Sequence, residues 1–278
     1  MTNELSSCTT GVNIDFHTNS GVLKLSTRSK GKYEVYIDGL LAKQFILNED
    51  DVGKELTVKL IDPIGCKKDD YRVTVYLPSH TAGTISYIEI DDGAYVKAHE
   101  YSFDLLMVGD SITQGWNANY DSFSYANCVS RFFNARTLNQ GIGGGVFDVS
   151  TLDDLSFEPD VVTVAYGTND FSRYPTYDVL RKYVSEFLDE LIRRYGDKRI
   201  FIISPIWREL REKPMGTFEG CRKVIIEEIT KRGLIHIDGL TLISGVKELF
   251  PDGLHPNSLG FSVYALNLCR ELARYIWE

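Results

Sequence analysis

Long apolar runs are missing from this chain: no stretch approaches the roughly 18 residues that a membrane-spanning helix needs. Basic excess is missing too. Thirty Lys and Arg stand against 39 Asp and Glu, a net charge of -9. Phosphate backbones and polyanionic surfaces require a basic face, so neither nucleic acid nor a membrane is an expected partner. Cysteine is sparse and unpatterned. The five (Cys8, Cys66, Cys128, Cys221 and Cys269) are scattered, odd in number and without a Cys-x-x-Cys pair. That pattern predicts neither a structural zinc site nor a disulfide framework. The opening "MTNELSSCTTG" carries an acid and no apolar core, so it does not read as a signal peptide. A cytoplasmic protein is expected, although a secreted chain trimmed of its signal would look the same. There is no Gly-Lys-Ser/Thr phosphate loop. A dinucleotide fingerprint starting at Gly141 fails because Val146 stands where its last glycine belongs. Internal repeats and low-complexity linkers are also absent.

What remains is 278 residues, 43% of them hydrophobic, enough for a sizeable core and two domains. Residues 12 to 91 alternate apolar with polar at period two. The stretches are "VNIDFHT", "GVLKLST", "KYEVYID", "AKQFIL", "ELTVKLI", "YRVTVYL" and "TISYIEI". Asp38-Gly39 marks a hairpin turn, and Asn19-Ser20-Gly21 and Ser29-Lys30-Gly31 mark further turns. About seven short strands at close spacing predict an antiparallel sandwich. After Asp92-Gly93 the strands become solid apolar runs: "DLLMVG", "VVTVAYG", "RIFIISP" and "LIHID". Helical stretches at roughly 121–134, 176–195, 217–232 and 257–276 lie between or after them. Strands that alternate with helices imply a parallel sheet covered on both faces. The expected division is a β-sandwich over residues 1–98 and an α/β domain over 99–278.

Ligands of parallel sheets sit at the carboxyl ends of the strands. Four polar clusters share that address: Gly109-Asp110-Ser111, Asn139 through Gly145, Gly167-Thr168-Asn169-Asp170, and Pro251-Asp252-Gly253-Leu254-His255-Pro256. Each has an ordinary reading when taken singly, as a capped helix start, a flexible glycine turn or an Asx turn. Together they hold a serine, a histidine with an acid three residues before it, an asparagine and a glycine turn. Those are the components of an acyl-transfer site.

The four segments resemble the GDSL-like, or SGNH, hydrolases in order and spacing. Block one matches Gly109-Asp110-Ser111-Ile112-Thr113-Gln114-Gly115, with Ile112 in place of the leucine in the family name. Block two matches Asn139 to Gly144, block three Gly167-Thr168-Asn169-Asp170, and block five Asp252-Gly253-Leu254-His255-Pro256. The resemblance covers about residues 103 to 278. It implies a three-layer αβα, flavodoxin-like domain with a parallel sheet. A strand-rich, jelly-roll-like domain ahead of such a hydrolase is similar to the arrangement in carbohydrate esterases of family two, notably acetyl esterases.

The resemblance implies roles that the chemistry can use. Serine is a weak nucleophile unless a base takes its proton. Ser111 would attack an ester carbonyl, His255 would accept and return the proton, and Asp252 would hold the imidazole in the right tautomer. The oxyanion would meet the Ser111 N–H, the Gly144 N–H and the Asn169 side-chain amide, with glycine at 144 allowing close approach of the backbone. Ser111 is expected to open a helix whose dipole assists. Among the other histidines, His17, His80 and His99 fall in the strand-rich half or at its border, and His236 reads as a packed strand residue. Asp238 is a rival acid without the Asp-x-x-His relation. Asp110 and Asp170 are expected to brace turns.

The pocket wall keeps two readings. Trp116, Tyr120 and Trp207 either stack on a sugar or wall an acyl group, or they pack under a loop. Arg208 either meets an acidic substrate group or forms a surface ion pair. The leading expectation is a serine esterase for short acyl groups on carbohydrates or other small esters, because no long apolar loop or lid separates the blocks. Alternatives are a thioesterase or acyltransferase using the same site, and an inactive hydrolase domain fused to a carbohydrate-binding sandwich. Neither a cofactor nor a metal is expected, since no His, Cys or carboxylate cluster has ligand spacing. Ester hydrolysis by the purified protein should therefore be unchanged after EDTA. Full loss on chelation, restored by zinc, would refute this expectation.

Overall fold

Alternation at period two becomes two antiparallel sheets in the computed structural model, which describes residues 7–61, 68–152 and 156–277; Cys66 lies outside the described residues. The strands are β1 (Asn13–Thr18), β2 (Val22–Thr27), β3 (Gly31–Ile37), β4 (Leu40–Leu47), β5 (Leu56–Lys59), β6 (Tyr71–Tyr76), β7 (Ile85–Ile90) and β8 (Lys97–Ala98). One sheet runs β4-β3-β6-β1-β8 and the other β5-β2-β7. Leu23 and Leu25 of one sheet share a buried core with Val35, Ile37, Val73 and Val75 of the other. Lys24, between the two leucines, points outward and pairs with Glu89 at 3.1 Å. That is the physical origin of the alternation in β2, with one face in the core and the other in water, whereas β3 and β6 are buried on both faces over most of their length. This β-sandwich unit extends to Tyr101 and includes the segment Tyr120–Ser122. Buried Glu34 holds that segment by accepting the Ser122 N–H at 3.2 Å, and the Tyr36 hydroxyl lies 2.9 Å from the Ser122 hydroxyl, to which it donates.

The second unit comprises Ser102–Asn119 and residues 123–277. Its elements in chain order are β9 (Phe103–Gly109), α1 (Ser111–Gln114), α2 (Tyr125–Phe133), β10 (Ala135–Gly141), β11 (Val161–Ala165), α3 (Asp170–Arg173) and α4 (Tyr177–Tyr195). Then follow β12 (Arg199–Ile203), the small hairpin β13 (Glu212–Lys213) and β14 (Gly216–Thr217), α5 (Phe218–Lys231), β15 (Ile235–Ile237), α6 (Gly239–Leu242) and α7 (Ser258–Ile276). The parallel sheet has the order β10-β9-β11-β12-β15. In this unit that is the second, first, third, fourth and fifth strand, the doubly wound flavodoxin-like order.

The solid apolar strands have a direct cause. Leu105 and Met107 of β9 point into a core built with α2 and α7. Leu106 and Val108 point the other way, into a core built with α4 and α5. Both faces are covered, so the stretch from Leu105 to Val108 leaves no place for a polar side chain. Helix α4 buries Leu180, Val184, Phe187, Leu188 and Leu191, one stripe at helical spacing, and Thr176 caps its first turn through the Val179 N–H. Strand β10 is absent from the solid apolar runs, and its backbone pairs with β9 through the polar Asn139 and Gln140 as far as Gly141. Among the described residues no helix is long and apolar enough to cross a membrane.

Candidate active site

Strand pairing sets the site. Gly141, Gly109 and Ala165 lie in one row across β10, β9 and β11, so three neighbouring strands end level. The nucleophile follows the middle strand, and the candidate oxyanion residues follow its two neighbours. The chain also reverses its direction of travel across the sheet at β9, which is where such folds bind ligands.

Beyond Gly109, Asp110 caps α1 by accepting the Ile112 N–H at 2.8 Å. Ser111 is the first residue of that helix and is 7% exposed. Helix α1 is a single turn of four residues, so its individual N–H groups matter here more than any summed dipole. The turn packs tightly against the end of β10: a Cβ at Gly141 would overlap the backbone of Thr113 and Gln114. Asn139 locks the same junction. Its amide donates to the Thr113 carbonyl at 3.0 Å and its oxygen accepts the Gly141 N–H at 2.8 Å.

The Ser111 hydroxyl oxygen lies 2.8 Å from His255 Nε2. His255 Nδ1 lies 2.7 Å from Asp252 Oδ2. The acid is fixed by its own loop, because its Oδ1 accepts the Leu254 N–H at 3.0 Å and the His255 N–H at 2.8 Å. Partial burial works against the Asp252 charge, but these backbone bonds and the His255 ring outweigh it and bring its pKa down to about 2. Asp252 is therefore ionised across the working range. His255 stands two residues before Asn257, whose side chain caps α7 through the Gly260 N–H at 2.9 Å. The helix start thereby orients the base.

The oxyanion donors need separate treatment. Gly144 has φ 81°, a left-handed conformation, while a Cβ there would meet nothing within 4 Å. Its backbone conformation calls for glycine at this position. Its loop is held by Gln114, whose side-chain oxygen accepts the neighbouring Gly143 N–H at 3.0 Å. Among the described residues no acceptor takes the Ser111 or Gly144 N–H. Asn169 donates one amide hydrogen to the Gly145 carbonyl at 3.1 Å, which orients the group and leaves its second hydrogen for a ligand.

Two acids lie beneath the nucleophile. Burial raises Asp110 to about 7, helped by the nearby Asp170 and opposed by the Ile112 N–H and Arg208. Burial likewise raises Asp170 to about 7, against the Phe147 N–H that its Oδ1 accepts at 2.9 Å. Arg208 turns inward to them. It is 7% exposed, donates to the Thr168 carbonyl at 2.6 Å, and lies over the rings of Phe171 and Phe218 at 5.2 and 5.7 Å. It braces the Asn169 turn from below.

Trp116 stands beside the base, its ring centroid 6.2 Å from that of His255, and is 37% exposed. Trp207 is half-buried and packs on Phe250 at 4.9 Å. Tyr120 groups with the sandwich unit, under the Lys32 ammonium at 5.3 Å. His17, His80 and His99 also belong to the sandwich unit. His236 is in β15, and burial lowers its pKa. Asp238 caps α6 through the Leu240 N–H at 3.0 Å. Gln114 and Asn117, which hydrogen-bond the oxyanion loop and Asp252 respectively, carried no signal in the sequence beyond their nearness to Ser111.

Residues 107–263 match the model of the GDSL-like lipase/acylhydrolase family. A family two carbohydrate esterase from Clostridium thermocellum, solved with cellohexaose, superposes with a TM-score of 0.73 at 16% identity, covering 97% of this chain and 94% of that one. A salicylyl-acyltransferase from a tetracycline biosynthetic pathway gives 0.79 at 20% identity over 96% and 83%. An acetyl xylan esterase from the rumen bacterium Butyrivibrio proteoclasticus gives 0.66 at 16% over 96% and 90%. These likenesses establish the fold, sandwich included. No curated protein matches.

The buried acids generate a stability prediction. Their folded pKa values lie above the ordinary 3.8, so the stability linked to them is complete below about pH 4 and is lost as pH rises through about 7. The melting temperature of the wild type should fall across that window, and Asp170→Asn, which has no proton to lose, should fall by less. Equal slopes for the two proteins would show that Asp170 is ionised throughout.

Proposed function

The chain belongs to the GDSL-like lipase/acylhydrolase family, and on that premise we propose that it is a serine esterase removing short acyl groups, acetyl foremost, from carbohydrates or other small esters. The observation that carries the reading is the unbroken chain from Ser111 to His255 at 2.8 Å and from His255 to Asp252 at 2.7 Å, beside unused backbone donors at Ser111 and Gly144. The Ser111 oxygen attacks the ester carbonyl as its proton passes to His255 Nε2. Charge gathers on the carbonyl oxygen, which the Ser111 and Gly144 N–H groups and the free Asn169 amide hydrogen receive. The intermediate collapses, the alcohol leaves with the proton from His255, and a water activated by the same imidazole releases the acid. Asp252 stays ionised and steadies the imidazolium in both halves.

Substrate class follows from what surrounds the triad. Trp116 offers an exposed aromatic face next to His255, the surface on which a sugar ring stacks. Two proteins of the same fold, a family two carbohydrate esterase and an acetyl xylan esterase, support acetyl groups on carbohydrates as the substrate class. Acyl transfer uses the same acyl-enzyme, and the salicylyl-acyltransferase shares this fold. The complete donor set argues against an inactive domain.

Hydrolysis of p-nitrophenyl acetate and covalent labelling of Ser111 by a fluorophosphonate test the proposal together, with Ser111→Ala abolishing both. Rates should be highest for acyl groups of about two to four carbons, since no long apolar loop to hold a fatty chain separates the motif blocks in the sequence. Asn169→Ala should lower kcat by about 10²–10³ with little change in KM, because its donor is most useful when charge develops. Absence of labelling removes the enzyme reading, a long-chain preference removes the short-acyl assignment, and a change confined to KM makes Asn169 a substrate-binding residue.

A further inference from the structure

We propose that Asn117 is a positioning residue of the acid–base pair, holding Asp252 through its side-chain amide; the inference rests on the esterase reading above. Asp252 Oδ2, the oxygen that bonds the His255 ring, also accepts from Asn117 Nδ2 at 3.2 Å. The other oxygen is taken by the Leu254 and His255 N–H groups. Those two bonds come from the acid's own loop and move with it. The Asn117 bond comes from the segment that follows α1, the turn that carries Ser111. It ties the acid to the nucleophile's side of the site.

Two further contacts run between the same segments. The Asn119 N–H donates to the Ser258 hydroxyl at 2.9 Å, and Trp116 lies against His255. Residues 116–119 thus run alongside 252–258 and are joined to them at three points. Asn117 has φ 75°, a left-handed conformation that only glycine and, less readily, asparagine or aspartate adopt. Glycine would satisfy the backbone without the bond, whereas asparagine satisfies it and delivers a donor to Oδ2. The Asp252 side chain is 43% exposed, so water would otherwise compete for that oxygen. A neutral donor occupies the second site on Oδ2 and leaves the negative charge available to the imidazolium.

The test uses Asn117→Gly, which keeps the left-handed backbone and removes the amide. Turnover of p-nitrophenyl acetate, the rate of fluorophosphonate labelling at Ser111 and the melting temperature are measured in the full chain. The variant should lose about tenfold in kcat and in labelling rate, with KM and melting temperature unchanged. In an Asp252→Ala background the same substitution should have no further effect on the labelling rate, because its action passes through that carboxylate. This second comparison decides the matter even if the glycine variant is less stable. An equal loss in both backgrounds, or a wild-type rate in Asn117→Gly, overturns the proposal while wild-type labelling leaves the esterase reading standing. A wild-type protein that is neither active nor labelled removes the esterase reading and this inference with it.

Discussion

Backbone pairing in the parallel sheet puts Gly141, Gly109 and Ala165 in a single row, and the reacting groups on three segments leave the sheet from that row. A strand that slipped by one residue would turn its side chains to the opposite core and carry its loop with it. A slip would exchange Leu105 and Met107 for Leu106 and Val108 between the two cores, and close packing of side chains of different shape opposes it. Hydrophobic packing thus fixes a register, the register fixes where three strands end, and the ends fix the separation of nucleophile and oxyanion donors. The polar locks at the edge, Asn139 on Thr113 and Gln114 on Gly143, then act over a few residues only. The base and its acid arrive separately, on the loop before α7, and need their own ties to this frame.

Three aspartates near the nucleophile show how one functional group serves different ends. Asp110 and Asp170 are 2% and 0% exposed, and burial outweighs the backbone N–H bonds they accept, so both are raised to about 7. They behave as hydrogen-bonding struts beneath the turns. Asp252 is open to solvent on one side and collects donors, and it is the one held at about 2. Permanent charge is thus kept where an imidazolium has to be stabilised, and the charge beneath the serine is damped by burial and by Arg208.

Much of this was legible in the sequence because the relevant signals are local. Period two in residues 12–91 marked seven of the eight sandwich strands, and β8 was missed because two residues cannot display a period. The solid apolar runs marked four strands of the parallel sheet, and helical spacing marked α4, α5 and α7 to within a residue or two. Strand β10 was not among the marked runs because "ARTLNQG" is largely polar, and its course comes from pairing with β9. Ser111, Asp252 and His255 stood out through motif spacing. Asn117 did not, because its partner is 135 residues away and an asparagine in a loop is commonplace. Arg208 was left between a substrate contact and a surface ion pair, since nothing in "SPIWRE" reveals that the chain turns the guanidinium inward over two phenyl rings. At Gly144 the structure adds a reason the sequence did not give: the backbone angle is left-handed, and a backbone angle leaves no mark in sequence apart from glycine itself.

Hydrolysis and acyl transfer differ in a single step, the identity of the group that attacks the acyl-enzyme, and the triad is indifferent to that choice. What decides it is whether water reaches the carbonyl before another nucleophile does. Sites that transfer acyl groups must exclude solvent or bind an acceptor firmly enough to outcompete it. Here the Asp252 side chain is 43% exposed and Trp116 37%. Solvent stands at the edge of the proposed triad, which under the esterase proposal would make water the default acceptor. An alcohol that displaced it would have to be held, and on the same proposal the Trp116 ring beside His255 would hold it. The same side chain would then bear on two properties at once. It would select the alcohol half of the substrate on the way in, and it would set how long that alcohol lingers, and so how often the acyl group returns to it, on the way out.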